Sequence, residues 1–271
     1  RGEVDPVTLS VLRFSIGGLV LWVIGLLVSR RKKSVPILPG DWFRLAGLGF
    51  FGMLGMSGLL FWGQTCTTAV NASMIMQTSP LLIFVGGILL GEKSGALRIF
   101  GILTGFIGCL IMMGILTPRG LSFQAGHLAG DGLIIGAALC WAIYSLWGKS
   151  LVARLGGLTT TTWAMILGAL ELFILRIFLP SPFHWPTGAV VWTQVLYLAI
   201  LPTALAFFAW YEAMNLIPLT LLNVMQYLTP VFTILLAWLI LNETLSAHQW
   251  IGISLICLGV VAAEIKVRKK N

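Results

Sequence analysis

The sequence has little charge. Asp, Glu, Lys and Arg make up 10% of its 271 residues, while 58% are hydrophobic and the mean hydropathy is +0.97. Soluble globular domains carry about 25% charged residues. The chain is therefore excluded from that class and is predicted to be an integral membrane protein. Its net charge of +8 does not indicate nucleic acid as a partner, because the basic residues form short clusters beside apolar runs, a pattern that orients membrane proteins.

Histidine and cysteine are also scarce, which argues against catalysis and metal binding. The three histidines lie in or at the edge of connections between apolar runs, and the four cysteines lie singly inside such runs, with no CxxC pair. A membrane-embedded hydrolase needs a nucleophile with a base in reach, and a zinc site needs several clustered ligands. We therefore expect no catalytic residue, no metal and no cofactor, and we interpret the cysteines as packing residues.

Long apolar runs are the main feature of the sequence. A helix needs about 20 mostly apolar residues to cross a bilayer. Nine such runs are present, joined by short connections that contain Pro, Gly, Asn or charge. The predicted spans are residues 8–29, 44–66, 71–90, 96–116, 131–152, 159–179, 191–214, 219–241 and 247–265. These spans predict an all-α membrane protein with no soluble domain.

One stretch of the chain occurs twice. The first copy is marked by Gln77, Pro80, Glu92, Gly101 and Gly108, and the second by Gln226, Pro230, Glu243, Gly252 and Gly259. The prolines are 150 residues apart and the three later pairs are 151 apart. Each copy is predicted to form two apolar helices joined by a short polar turn. A period this long is not that of a solenoid, and it indicates two homologous halves, as in many secondary transporters.

The basic residues predict the orientation of the spans. If residues 30–33 are cytoplasmic, nine alternating spans place 13 of the 17 basic residues on that side, including a basic tail at 267–271. Such a bias is the usual signature of cytoplasmic loops. It places Glu92 inside and Glu243 outside, so the repeat is predicted to be inverted, with an odd number of spans in each half. The C-terminus is predicted to be cytoplasmic.

The two halves differ in their number of spans. Thr8 aligns with Thr159 and Gly17 with Gly168, but the span 131–152 has no counterpart after residue 1. We therefore expect two five-helix halves, at 1–117 and 130–266, with the first of ten helices missing from this sequence. The alternative is a protein with nine spans, which leaves the repeat lopsided.

These motifs together resemble a known family. They are Pro6, Leu12-Arg13-Phe14, then Pro80, Leu90-Gly-Glu92, Gly101 and Gly108, and again Pro230, Glu243, Gly252 and Gly259. The ordered, duplicated set is similar to the EamA-type transporters of the drug/metabolite transporter superfamily. The resemblance covers nearly the whole chain. It implies ten helices in two inverted repeats, a central cavity, and transport of small metabolites such as amino acids or drugs across a bacterial inner membrane, with export the favoured direction.

Polar side chains in two of the spans are the candidate substrate site. In 219–241 they are Asn223, Gln226, Tyr227 and Pro230, and in 71–90 they are Ser73, Gln77 and Pro80. Each set follows helical spacing, and the two sets correspond at an offset of 150 residues. Each proline also frees the carbonyl four residues earlier, at Met76 and Gln226. Polar groups at membrane depth suit a substrate site between repeats, and the alternative is polar contact between packed helices.

Aromatic residues and one carboxylate extend the candidate site. They are Gln64, Trp141, Tyr144, Trp210, Tyr211 and Glu212. Aromatic walls with a few polar groups are typical of pockets for small ligands. Glu212 is a candidate for binding a substrate amine or for exchanging a proton as the coupling ion. The alternatives are interfacial anchoring for the tryptophans and an inactive carboxylate near the headgroups.

Other features are interpreted as structural. Glu171 and Arg176 are expected to extend toward the membrane surface, and Arg13 to serve a structural role at a helix start. Gly101 and Gly105 form a GxxxG motif, which predicts close helix packing, either inside the chain or in a homodimer. A membrane-embedded enzyme and a channel or structural subunit remain alternatives to the transporter. A channel is expected to place rings of charge or carbonyl groups around an axis.

Overall fold

The computed structural model of the chain describes residues 4–29, 35–92, 94–115, 125–179, 185–241 and 244–268. Within these residues the chain forms helices and no β-strand. The long helices, numbered in chain order, are α1 (Pro6–Ser29), α2 (Pro39–Cys66), α3 (Ala69–Leu89), α4 (Ala96–Met112), α5 (Leu128–Leu155), α6 (Gly157–Phe178), α7 (Ala189–Leu216), α8 (Leu219–Ile240) and α9 (Ala247–Arg268).

These helices confirm the predicted spans. In the described residues, eight of them are long and apolar enough to cross a membrane, and α4 is a shorter apolar helix of 17 residues. Many of their large hydrophobic side chains point outward, such as Phe43, Leu89 and Ile177. An all-helical chain with apolar outer surfaces is what a bilayer requires, because helices satisfy their own backbone hydrogen bonds in lipid. The chain is a multi-pass membrane protein.

The two copies of the repeat also share structural features outside the sequence motifs. Helices α2 and α7 both have 28 residues. Each contains a six-residue π-helical segment, at Phe50–Gly55 in α2 and at Ile200–Leu205 in α7. The two segments begin 150 residues apart, the same offset that separates Pro80 from Pro230. Pro202 lacks the N–H that an α-helix uses, but the first copy has no proline in its segment.

Helices α3 and α8 are broken at equivalent positions. In α3 the first segment ends at Met76 and the next begins at Ser79. In α8 the first segment ends at Gln226 and the next begins at Leu228. Each break comes shortly before Pro80 or Pro230, because the proline ring clashes with the carbonyl four residues earlier. These breaks lie inside spanning helices and are not the predicted polar turns: the turn predicted in the first copy, near Glu92, lies between α3 and α4.

The described helices form two compact units, and each unit takes elements from both copies of the repeat. The first unit comprises Arg1–Phe61 and Ile143–Leu216. The second comprises Trp62–Ala142 and Ile217–Asn271. Helices α2 and α5 contribute to both units. The units therefore cut across the two sequence copies.

Glycines make equivalent contacts in the first unit. A Cβ placed on Gly17 would lie 3.1 Å from the carbonyl oxygen of Ala199, at the start of the π segment of α7. Its counterpart Gly168 would meet the Cα and carbonyl oxygen of Gly49, at the start of the π segment of α2, at 3.0 Å. The contact of α1 with α7 is thus repeated as the contact of α6 with α2. Exchanging the copies maps one contact onto the other.

The second unit has the same kind of exchange between α4 and α9. A Cβ on Gly101 would lie 2.5 Å from the carbonyl oxygen of Gly259, and a Cβ on Gly252 would lie 2.6 Å from that of Gly108. Gly101 corresponds to Gly252 in the repeat, and Gly108 to Gly259. The early glycine of each helix contacts the late glycine of the other, so the two equivalent helices run antiparallel. Reciprocal contacts of this kind are those of a two-fold axis.

The glycine face is therefore an internal contact. The sequence left open whether Gly101 and Gly105 pack within the chain or in a homodimer, and in the structure α9 and Tyr227 occupy that face. The antiparallel pair supports the inverted repeat predicted from the basic residues. Glu243, residues 30–33 and the tail 269–271, on which that prediction also relied, lie outside the described residues.

The expectation for Arg176 is wrong. Its side chain is 1% exposed and does not extend to the surface. Nε donates a hydrogen bond to Oγ1 of Thr8 at 3.1 Å, and Nη2 lies 3.7 Å from Oδ2 of Asp5. Asp5 also accepts from the backbone N–H groups of Val7 and Thr8 at the start of α1. The arginine thus links the end of α6 to the N-terminal cap of α1, because a buried charge requires a partner.

Candidate functional site

The first segment of α8 buries polar groups beside the helix break. Asn223 and Tyr227 are 0% exposed, and Gln226 and Pro230 are half-buried. Among the described residues, neither amide atom of Asn223 has a hydrogen-bond partner, and the same holds for Oε1 of Gln226 and Oη of Tyr227. Unpaired buried polar groups cost roughly 1–3 kcal/mol each. So many unpaired polar atoms in one helix segment require an explanation, and a bound ligand would supply their hydrogen-bond partners.

The corresponding polar residues of α3, here called the α3 stripe, differ in their burial from those of α8. Ser73 is exposed, Gln77 is half-buried and Pro80 is buried. The carbonyl of Met76, which Pro80 leaves without its helical partner, accepts a hydrogen bond from Oγ of Ser79 at 2.6 Å. That carbonyl is thus already paired within the chain. Gln64, on the last turn of α2, is exposed.

In the second unit, part of the α3 stripe lies near the matching polar residues of α8. The first segment of α8, which carries Asn223 and Gln226, packs against the second segment of α3, which begins at Ser79 and Pro80. Tyr227 lies over Gly105 of α4, where a Cβ would be 2.6 Å from its ring. The helix breaks therefore place the buried amide of Asn223 in a contact region between α3, α4 and α8.

Two of the predicted aromatic residues meet in the first unit. The rings of Tyr144 and Tyr211 stack with centroids 4.7 Å apart, and Phe207 packs edge-on against Tyr144 at 5.9 Å. Oη of Tyr211 donates to the backbone carbonyl of Tyr144 at 3.1 Å. Both tyrosines are 0% exposed. In this structure they form a buried aromatic cluster.

Glycines make room for these tyrosines. The ring of Tyr144 lies against Gly52 in the π segment of α2, and the hydroxyl of Tyr211 lies against Gly148. Any side chain at either glycine would overlap the tyrosine. Trp141 and Trp210 are half-buried, Trp141 in the second unit and Trp210 in the first. The sequence could not show which aromatic residues sit over glycines, because those partners are distant in the chain.

Glu212 lies at the N-terminus of a neighbouring helix. A Cβ placed on Gly157, the first residue of α6, would be 2.6 Å from Oε2 of Glu212. A carboxylate in such a place stabilises the positive end of a helix dipole. The half-buried Glu212 therefore has a structural contact besides the roles predicted for it.

The sequence analysis missed a buried polar cluster around Asp131. Asp131, in the first turn of α5, is 5% exposed. Its carboxylate accepts from Oγ1 of Thr67 at 2.5 Å and from Nδ2 of Asn71 at 3.2 and 3.3 Å. The cluster ties the connection between α2 and α3 to the start of α5. The only sequence signal was an acidic residue at the beginning of an apolar run.

The chemistry of these groups is that of binding. The described residues contain no group of three or more His, Cys, Asp or Glu side chains that could hold a metal ion. Buried amide and hydroxyl groups on broken helices can instead receive a polar small molecule, as discontinuous helices do in transporters.

Comparisons with known proteins agree with this geometry. The model of the EamA-like transporter family matches residues 1–114 and 128–263. The uncharacterized transporter YyaM of Bacillus subtilis (strain 168) is 28% identical over 279 residues, covering 100% of this chain and 88% of that protein. The aromatic amino acid exporter YddG of Ancylobacter novellus is 27% identical over 270 residues, covering 99% of this chain and 91% of that protein.

A solved structure has the same fold. A crystal structure 26% identical in sequence superposes with a TM-score of 0.83, covering 100% of this chain and 91% of the other. The family model and these relatives point to transport and not to an enzyme.

Proposed function

Because the chain belongs to the EamA-like transporter family, we propose that it is a secondary transporter that exports small metabolites across a bacterial inner membrane. The two inverted halves, at residues 1–117 and 130–266, expose a central cavity to each side in turn. The C-terminus is on the cytoplasmic side. The antiparallel packing of α4 and α9 supports this proposal, since inverted halves are a frequent basis of alternating access.

The buried amide of Asn223 is the observation that carries the proposal. It is 0% exposed, and neither of its amide atoms is paired among the described residues. An asparagine amide is both a donor and an acceptor. A substrate that carries a carboxylate and an ammonium group can pair with both atoms. The break in α8, four residues further on, adds the hydroxyl of Tyr227.

Amino acids with aromatic side chains are the proposed substrate class. The half-buried Trp141, in the same unit as Asn223, supplies apolar surface, as is common in pockets for small ligands. One relative is named as an aromatic amino acid exporter. The sequence pattern further predicts substrate contacts for Gln64, Ser73, Gln77, Pro80, Tyr144, Trp210, Tyr211, Glu212, Gln226 and Pro230.

Resistance of growing cells tests the proposal. Cells that express the chain are grown with toxic analogues of aromatic amino acids, beside cells that express Asn223→Leu at equal membrane abundance. Export predicts that only the first culture is protected. Protection by both proteins would show that Asn223 is not part of the site, and protection against none of a broad metabolite panel would contradict export.

A further inference from the structure

Glu171 is a carboxylate inside a spanning helix with no hydrogen-bond or ion partner among the described residues. It lies seven residues before the end of α6 at Phe178, or about 10 Å of helical rise. The side chain is half-buried, and Oε2 is buried without a hydrogen-bond partner among the described residues. The next residue, Leu172, is 1% exposed. Charges at this depth are costly and usually functional.

Arg13 presents the opposite charge on the neighbouring helix. It is the only charged residue of α1, it is half-buried, and its Nε is buried without a hydrogen-bond partner in the described part of the chain. Its guanidinium lies over the ring of Phe14, 4.6 Å from the centroid. The aromatic ring compensates only part of the free-energy cost of burying the guanidinium charge.

Arg13 and Glu171 do not meet at the contact between α1 and α6. Helices α1 and α6 pack along each other. Thr8 bonds to Arg176, and a Cβ on Gly18 would lie 2.9 Å from the side chain of Ile166, so the two helices are antiparallel. Positions 13 and 171 are each five residues from these contact positions, a rotation of about 140° around the helix axis. Both side chains therefore lie on the faces turned away from the α1–α6 contact.

We propose that Glu171 is the proton-binding carboxylate that couples transport to the proton gradient. This inference rests on the proposed function. The carboxylate takes up a proton from one side, forming an O–H bond, and releases the same proton to the other side. A buried carboxylate must be neutralised or paired. Among the described residues Oε2 of Glu171 has no partner, so the side chain is protonated inside the membrane and ionised where it meets water.

The other charged groups of the helices that pack against α6 are already engaged or lie at its ends. Arg176 pairs with Asp5 on the α1 side. Asp41 of α2 forms an ion pair with Arg154 of α5. Glu212 of α7 contacts Gly157, fourteen residues before Glu171 along α6. The remaining basic residues of these helices in the first unit, Arg44 and Lys149, lie near the ends of α2 and α5 that carry Asp41 and Arg154.

Proteoliposomes test the coupling. The purified full chain is reconstituted, and radiolabelled L-tryptophan is followed with and without an imposed pH gradient. Glu171→Gln is expected to lose gradient-driven accumulation entirely while it retains tryptophan counterflow, which needs no proton. Glu264→Gln, an exposed carboxylate on α9, is the matched control and should behave as wild type. Accumulation by Glu171→Gln at the wild-type level, or its loss in Glu212→Gln alone, would overturn the proposal.

If the wild-type protein shows no tryptophan counterflow at all, the proposed substrate fails and not the proton site.

An infrared titration measures the proton site without transport. Difference spectra of the protein in lipid, recorded between acidic and alkaline pH, should contain a protonated-carboxyl band that Glu171→Gln removes and Glu264→Gln does not. Persistence of the full band in Glu171→Gln, with the protein folded by circular dichroism, would overturn the proposal.

Discussion

Gly101 lies against Gly259 so closely that a Cβ on Gly101 would be 2.5 Å from the carbonyl oxygen of Gly259. The counterpart contact, of Gly252 with Gly108, has almost the same geometry, with the Cβ at 2.6 Å. A two-fold exchange of the copies predicts such pairs, and parallel copies cannot form them, because equivalent helices would then run in the same direction. The glycine pairs are thus the direct structural mark of the inverted repeat.

Replacing Gly101 by a larger residue should lower the stability of the second unit. Gly101→Leu forces α4 away from the backbone of α9, and overpacking typically costs about 1–3 kcal/mol. We expect a clear fall in the apparent Tm of the detergent-purified protein. Gly132→Leu is the control, because a Cβ there would meet no heavy atom of the described residues within 4 Å. Equal Tm values for the two variants would contradict the contact.

Asn71 and Asn223, both fully buried, should respond in opposite ways. Asn223→Leu removes unpaired amide atoms, so the protein should gain on the order of 1 kcal/mol in stability while losing transport. Asn71→Leu should instead lose about 1.5–3 kcal/mol, because it removes hydrogen bonds to the carboxylate of Asp131. Thermal unfolding in detergent measures both. A loss of stability in Asn223→Leu as large as that in Asn71→Leu would show that Asn223 is paired within the folded chain.

The buried arginine should depend on its carboxylate. Asp5→Asn keeps a good helix cap but removes the charge of a carboxylate that pairs with the buried Arg176, and breaking a buried pair costs roughly 3–5 kcal/mol. The double variant Asp5→Asn with Arg176→Met should recover much of the lost stability. If Asp5→Asn unfolds at the wild-type temperature, the ion pair makes no contribution to stability.

Labelling can test the inverted topology in cells. Single cysteines at Glu92 and Glu243, in a background without the four native cysteines, should react with a membrane-impermeant maleimide from opposite sides. We expect Glu243→Cys to be labelled in intact cells and Glu92→Cys only after permeabilisation. Labelling of both from the same side would rule out inversion.

The half-buried Gln77 offers a direct test of the α3 stripe. Gln77→Leu conserves the approximate volume and removes the amide, so transport should be lost while membrane insertion and Tm are retained. Ser73→Leu changes an exposed position four residues earlier in the same helix. Loss of transport in this variant would extend the functional part of the stripe to the N-terminal end of α3. Normal transport by Gln77→Leu would make the stripe a packing feature.

The sequence predicted the spans and the repeat because both depend on local apolar runs and on residues at fixed spacing. It also predicted that Pro80 and Pro230 free the carbonyl four residues earlier, since proline acts on its own helix, but it did not predict the helix breaks. It missed the π segments, because Phe50–Gly55 contains no proline and its shape depends on neighbours such as Tyr144 and Gly168. It was wrong about Arg176, because Asp5 lies far away in the chain. Pairings between distant helices leave no periodic signal.

Counterflow in proteoliposomes tests the central claim, that the chain is a carrier. Vesicles loaded with unlabelled tryptophan are diluted into a trace of labelled tryptophan, and the label inside is followed over time. A carrier predicts a transient overshoot of label that saturates with substrate and is lost in Asn223→Leu. Flux that rises linearly with concentration and shows no overshoot would identify a channel and contradict the account.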